Sequence, residues 1–149
     1  MLLSYVLSFV YVGIYWNNHH HMLHAAKSVG GGVLWANLHL LFWLSLIPFA
    51  SGWMGENHFS PVTVMLYGVV LLLCGVAYFI LTRALIVRNG TESALAVGRG
   101  RKGSVSLALY VVAIGVALFS SAAAMAIFVL VAAIWLVPDR RIERVLGGG

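Results

Sequence analysis

The chain consists mainly of long apolar stretches separated by short segments rich in polar residues, glycine or charge. A helix of about 20 mainly apolar residues is needed to cross the hydrocarbon core of a bilayer, which is about 30 Å thick. This pattern predicts an all-α integral membrane bundle in one domain covering residues 1–149. Five transmembrane helices are predicted, over residues 2–23, 33–50, 62–81, 105–119 and 122–137.

The last two of these helices come from one continuous apolar stretch, Ser104 to Val137. A single helix of this length would extend about 51 Å at 1.5 Å per residue, too far for one ordinary crossing. Basic clusters stand at both ends of the stretch, and one crossing would separate them across the membrane. A hairpin with its turn near Ser120 and Ser121 keeps both clusters on one side. Pro138 then ends the last helix.

Composition and charge agree with a membrane location. The chain is 62% hydrophobic and only 9% charged, unlike soluble globular domains. With five crossings, all 9 Lys and Arg residues fall on one face, which the positive-inside rule places in the cytoplasm together with the C-terminus. The net charge of +5 is therefore interpreted as orienting the loops rather than binding nucleic acid. Because Met1 then lies outside, we expect one more helix upstream.

The reactive residue types are scarce. The single cysteine, Cys74, lies in an apolar stretch, so the chain builds neither an intrachain disulfide nor a paired-cysteine metal site. The four acidic residues all lie in predicted loops or in the tail, where no carboxylate pair serves general acid–base chemistry. The sequence therefore predicts neither an enzyme nor a bound cofactor.

A string of polar residues follows the first apolar stretch, at Asn17 to His21. Asn17 precedes His20 by one helical turn, so the two share a face. Asn37, on the second helix, lies at about the same depth in the membrane. Polar side chains at such positions are satisfied by hydrogen bonds across helices or by water. We interpret the string as a structural polar cluster.

Metal or haem binding is the alternative interpretation of the same string. His20 and His24 are one turn apart on the first helix, and His39 lies on the second. Two histidines in this spacing can bind zinc, copper or a haem iron. No carboxylate or cysteine accompanies them, however, so the usual second shell of a metal site is missing. A haem- or metal-binding membrane anchor therefore stays the second hypothesis.

Three segments resemble the prokaryotic transmembrane-protein-175 family of potassium channels. Ser8–His20, with the sequence SFVYVGIYWNNHH, resembles the second helix of that family. Leu46–Phe49 (LIPF) resembles the end of its third helix, and Trp135–Arg141 (WLVPDRR) is similar to its closing signature. The segments occur in the family's order and span nearly the whole chain.

The resemblance implies a six-helix subunit that assembles as a tetramer in the cell membrane and passes potassium through a central pore. In that family the first helix lines the pore and carries an Arg-x-x-x-Phe-Ser-Asp motif, which has no counterpart in this chain. No pore-lining residue is therefore assigned. The family's polar cluster, which braces the first helix, corresponds to Trp16, Asn17, His20 and Asn37.

These expectations define one leading function and its rivals. The leading hypothesis is a subunit of a potassium-selective, leak-type channel that lacks its first helix, has the bilayer and further copies of itself as partners, and uses potassium only as the permeant ion. A non-conducting structural membrane protein is a third possibility, beside the haem or metal anchor.

Overall fold

The structure, a computed structural model, describes residues 2–26, 28–89 and 101–136. Within these ranges the chain is helical and contains no β-strand. The helices are α1 (Leu2–Ala25), α2 (Gly31–Glu56), α3 (Pro61–Asn89), α4 (Arg101–Val116) and α5 (Ser121–Leu136). The predicted all-α bundle of five helices is confirmed.

Helix α3 is the centre of the bundle. It packs against α2, α4 and α5, and α1 packs against α2 and α5. One core cluster joins the first half of α3 to every other helix, with Tyr67 and Phe128 among its fully buried members. A second, smaller cluster joins the later part of α3 to the facing ends of α1 and α2, around Leu40 and Leu81.

Two helices extend beyond the ends that the sequence predicts. Helix α2 continues to Glu56 rather than ending near Ala50, because Met54 is fully buried in the core and keeps that turn packed. Helix α3 continues to Asn89, and its last turns are held by the buried Leu85. Packing thus extends helices through segments that composition alone assigns to loops.

A short turn precedes α3 and another precedes α5, and a serine stands before each helix. Between α2 and α3, His58 and Phe59 adopt left-handed backbone conformations with φ of 52° and 57°. The next residue, Ser60, precedes α3, and its side-chain oxygen lies 3.1 Å from the hydroxyl of Thr63. Before α5, the Ser120 hydroxyl accepts a hydrogen bond of 3.2 Å from the backbone N–H of Ala123. Serine is favoured at such positions because it satisfies the free N–H groups of the first helical turn.

The long apolar stretch is two helices, with α4 ending at Val116 and α5 beginning at Ser121. Small residues lie where these helices approach their neighbours, and Ala113, Ala117 and Ala124 are fully buried. Close approach of helix backbones through small residues is typical of membrane bundles. Pro138, predicted to end the last helix, lies outside the described residues.

The outer surface of the bundle is mostly apolar. By length and composition, α2 and α3 are each able to span a membrane, and α4 and α5 are shorter apolar helices. Large side chains such as Phe9, Phe49 and Val87 are more than half exposed. Monomeric soluble proteins rarely expose so much apolar surface, and the chain is accordingly a helical membrane bundle.

Candidate functional site

Trp16 and two residues of the polar string lie on the outward face of α1. Trp16 is 61% exposed, and Asn17 and His20 are also exposed. The rings of Trp16 and His20 stack with centroids 5.4 Å apart, and His20 stacks in turn on His24 at 6.1 Å. We call Trp16, Asn17, His20 and His24 the polar face of α1.

Asn37 does not join this face. Its side-chain oxygen is hydrogen-bonded to the imidazole of His19, which lies toward α2 and is half-buried. The predicted cluster of Trp16, Asn17, His20 and Asn37 is therefore divided in the structure into an outward face on α1 and a bond between α1 and α2. The buried positions Tyr11 and Met22 of α1 indicate the inner face of the helix.

His39 has its own partner on α2. The indole N–H of Trp43 donates a hydrogen bond of 2.9 Å to the Nε2 atom of His39. His39 thus lies apart from the stacked pair His20 and His24, and the described residues contain no group of three or more His, Cys, Asp or Glu side chains placed to hold a metal ion. The three histidines of the metal-anchor hypothesis are not brought together.

The bundle interior contains a tyrosine cluster that the sequence did not single out. The Tyr11 hydroxyl donates a hydrogen bond to the backbone carbonyl of Phe128, which joins α1 to α5. The ring of Tyr67 lies edge-on to Tyr11 at 6.4 Å and to Phe128 at 5.4 Å. The hydroxyl of Tyr67 is buried and has no hydrogen-bond partner among the described residues. The spacing of Tyr11 with the apolar Leu7 and Ile14 is the signal that places it inside.

A cavity of about 50 Å³ lies beside this cluster, lined by residues of α1, α3, α4 and α5. The lining residues with polar side-chain groups are Tyr11, Tyr15, Asn18, Tyr78, Ser106, Tyr110 and Trp135, and the indole N–H of Trp135 donates a hydrogen bond of 2.8 Å to the Ser106 hydroxyl. The rest of the lining is mostly apolar, and no lining residue carries a charge.

The connection between α1 and α2 is tied to the end of α3. The backbone N–H of Ser28 donates a hydrogen bond of 2.8 Å to the side-chain oxygen of Asn89. The side-chain amide of Asn89 donates a hydrogen bond of 3.0 Å to the backbone carbonyl of Ser28 in return. Arg88 adds a bond of 2.8 Å from its Nε to the Ser28 hydroxyl. The Thr82 hydroxyl also donates to the sulfur of Met22 at 3.1 Å. These contacts fix the end of α1 that carries the polar face.

Comparison with known proteins identifies the family. A sequence profile described as the endosomal/lysosomal potassium channel TMEM175 matches residues 1–48, which include α1 and much of α2. No solved structure matches the chain. Over 146 residues, the chain is 47% identical to a protein named as a potassium channel from Chryseobacterium sp. (strain P1-3).

The alignment with that relative covers 97% of this chain and 76% of the bacterial protein. The relative thus matches nearly all of this chain, and the profile matches the helices that bear the polar face and its neighbour Asn37. The chain belongs to the TMEM175 family of potassium channels.

Proposed function

We propose that the chain is a subunit of a potassium-selective, leak-type channel that assembles as a homotetramer. The observation that carries the proposal is the 47% identity, over 97% of the chain, with a protein named as a potassium channel. The proposed activity is passive ion flow, which requires neither a catalytic group nor a cofactor. Potassium is the permeant ion only.

The polar face of α1 supports a place for one more helix beside this bundle. Trp16 and Asn17 offer hydrogen-bonding groups on an exposed surface, and polar groups left unpaired in hydrocarbon cost several kcal/mol each. A helix N-terminal to α1, carrying the family's Arg-x-x-x-Phe-Ser-Asp motif, would supply the partners. In the proposed assembly this helix lines the pore, and α1 braces it.

The proposed topology has several crossings and a cytoplasmic C-terminus. Arg83 and Arg88 lie in the last turns of α3 and Arg101 begins α4, so helix ends rather than a long loop carry these charges. All three stand at the same end of the bundle as the connection between α1 and α2. The positive-inside rule places that end in the cytoplasm.

Potassium flux into liposomes tests the proposal. Vesicles containing the 149-residue chain are compared with vesicles containing a version extended through the upstream reading frame and with empty vesicles, and sodium is the competing ion. We expect potassium-selective flux from the extended version and none above background from the shorter chain. Absence of selective flux from the extended version would contradict the channel, whereas selective flux from the shorter chain would contradict the bracing role of α1.

A further inference from the structure

The cavity among α1, α3, α4 and α5 has the size of a small organic molecule. Its volume is about 50 Å³. One water molecule occupies about 30 Å³ of liquid, and a cavity of about 150 Å³ holds benzene. The available space therefore fits a molecule larger than water and smaller than an aromatic ring.

The lining determines the chemistry of the molecule. Ile14, Phe79 and Leu107 contribute apolar surface, and the absence of charged lining residues disfavours an ion, because a buried charge needs a partner. The side-chain amide nitrogen of Asn18 donates a hydrogen bond of 2.8 Å to the backbone carbonyl of Ile14. The side-chain oxygen of Asn18 accepts no hydrogen bond from the described residues. Small-molecule sites typically combine such an apolar wall with a few placed polar groups.

We propose that this cavity is a binding site for a short aliphatic alcohol. The alcohol hydroxyl donates to the side-chain oxygen of Asn18, and the hydrocarbon part lies against Leu107 and Phe79. Of the lining tyrosines, Tyr11 already donates its hydroxyl proton to the Phe128 carbonyl, so the side-chain oxygen of Asn18 is the recognition group of the proposed site. Such a small ligand binds with millimolar affinity, because few atoms make contact.

Fluorescence quenching by 2-bromoethanol tests the site, since bromine quenches an indole that it contacts and Trp135 lines the cavity. The purified protein in detergent is titrated with 2-bromoethanol, and the same titration is made with bromoethane, which lacks the hydroxyl. We expect a saturable component of quenching in the millimolar range. This component should be absent from Trp135→Phe and at least tenfold weaker in apparent affinity for bromoethane.

Two glycine variants separate occupation of the cavity from general effects on α4. Gly103 lines the cavity, and a Cβ atom added there meets no atom within 4 Å, so Gly103→Leu fills space without a clash at Cβ. Gly115 is on the same helix, is equally open and does not line the cavity. We expect Gly103→Leu to abolish saturable quenching and Gly115→Leu to retain it.

Several results would overturn the proposal. Quenching that rises linearly with 2-bromoethanol would show collision rather than binding. Equal affinity for bromoethane would show an apolar site without recognition of the hydroxyl. Saturable quenching unchanged in Gly103→Leu would place the bound molecule elsewhere.

Discussion

The hydroxyl of Tyr11 on α1 is hydrogen-bonded to the backbone carbonyl of Phe128 on α5, so the first and last described helices are joined directly in the core. The neighbouring Tyr67 is just as deeply buried, yet its hydroxyl has no partner among the described residues. The two tyrosines therefore offer a matched comparison between a paired and an unpaired buried hydroxyl.

Replacing each tyrosine by phenylalanine should have opposite effects on stability. Tyr11→Phe removes the bond between helices and should lower the free energy of unfolding by about 0.5–1.5 kcal/mol. Tyr67→Phe removes a hydroxyl that is buried without compensation, so stability should be unchanged or higher. Thermal unfolding midpoints in detergent measure the stability change of each variant. A larger loss for Tyr67→Phe than for Tyr11→Phe would contradict the hydrogen-bond assignment.

The bond between His19 and Asn37 should stabilise the packing of α1 on α2. A double-mutant cycle with His19→Leu and Asn37→Leu should give a coupling of about 0.6 kcal/mol, the average found for hydrogen bonds between membrane helices, and no more than about 1.7 kcal/mol. Thermal unfolding of the wild type, the two single variants and the double variant provides the four free energies of unfolding that the cycle needs. Strictly additive effects would show that the two side chains do not interact.

The polar face of α1 should affect assembly rather than the fold of one subunit. Asn17→Leu or His20→Leu alters an exposed surface, so the detergent-stable oligomer of the extended chain should decrease while the unfolding midpoint of the subunit changes little. Light scattering coupled to size-exclusion chromatography measures the oligomer. Phe49→Leu, on the exposed surface of α2, is the control. An unchanged oligomer together with loss of a bound metal would favour the metal-anchor hypothesis instead.

Two glycines should respond oppositely to alanine. A Cβ atom on Gly68 would lie 2.8 Å from Ile114 and 2.9 Å from Phe128, and such overpacking typically costs about 1–3 kcal/mol. Gly13 is an exposed helical position with nothing within 4 Å of an added Cβ, so Gly13→Ala should stabilise the protein by about 0.5–1 kcal/mol. The thermal unfolding midpoints of the two variants, measured in detergent, test both expectations. Equal tolerance of both substitutions would refute the close approach of α3 to α4 and α5.

The proposed topology can be tested by cysteine labelling in intact cells. Asn57 and Ser104 are both exposed and lie at opposite ends of the bundle, and the native Cys74 is fully buried. A thiol reagent that does not cross the membrane should label Asn57→Cys and leave Ser104→Cys unlabelled until the cells are permeabilised. Labelling of Ser104→Cys from outside would reverse the orientation.

The sequence predicted the helices well because long apolar stretches have few alternatives in a bilayer. The sequence predicted the ends of α2 and α3 less well, because the buried Met54 and Leu85 extend these helices through contacts with distant parts of the chain. The sequence did not identify His19 as the hydrogen-bond partner of Asn37. In the consecutive string Asn17 to His21 every face of the helix carries a polar residue, so only the phase of the buried Tyr11 and Met22 indicates that His19 points inward.

The length of the two longest helices has a consequence for the surrounding lipid. Helices α2 and α3 have 26 and 29 residues, or about 39 and 44 Å at 1.5 Å per residue. A hydrocarbon layer of about 30 Å is too thin for either helix standing upright, so both must tilt or extend into the headgroup region. Lipids with longer acyl chains should therefore bring α2 and α3 closer to the membrane normal.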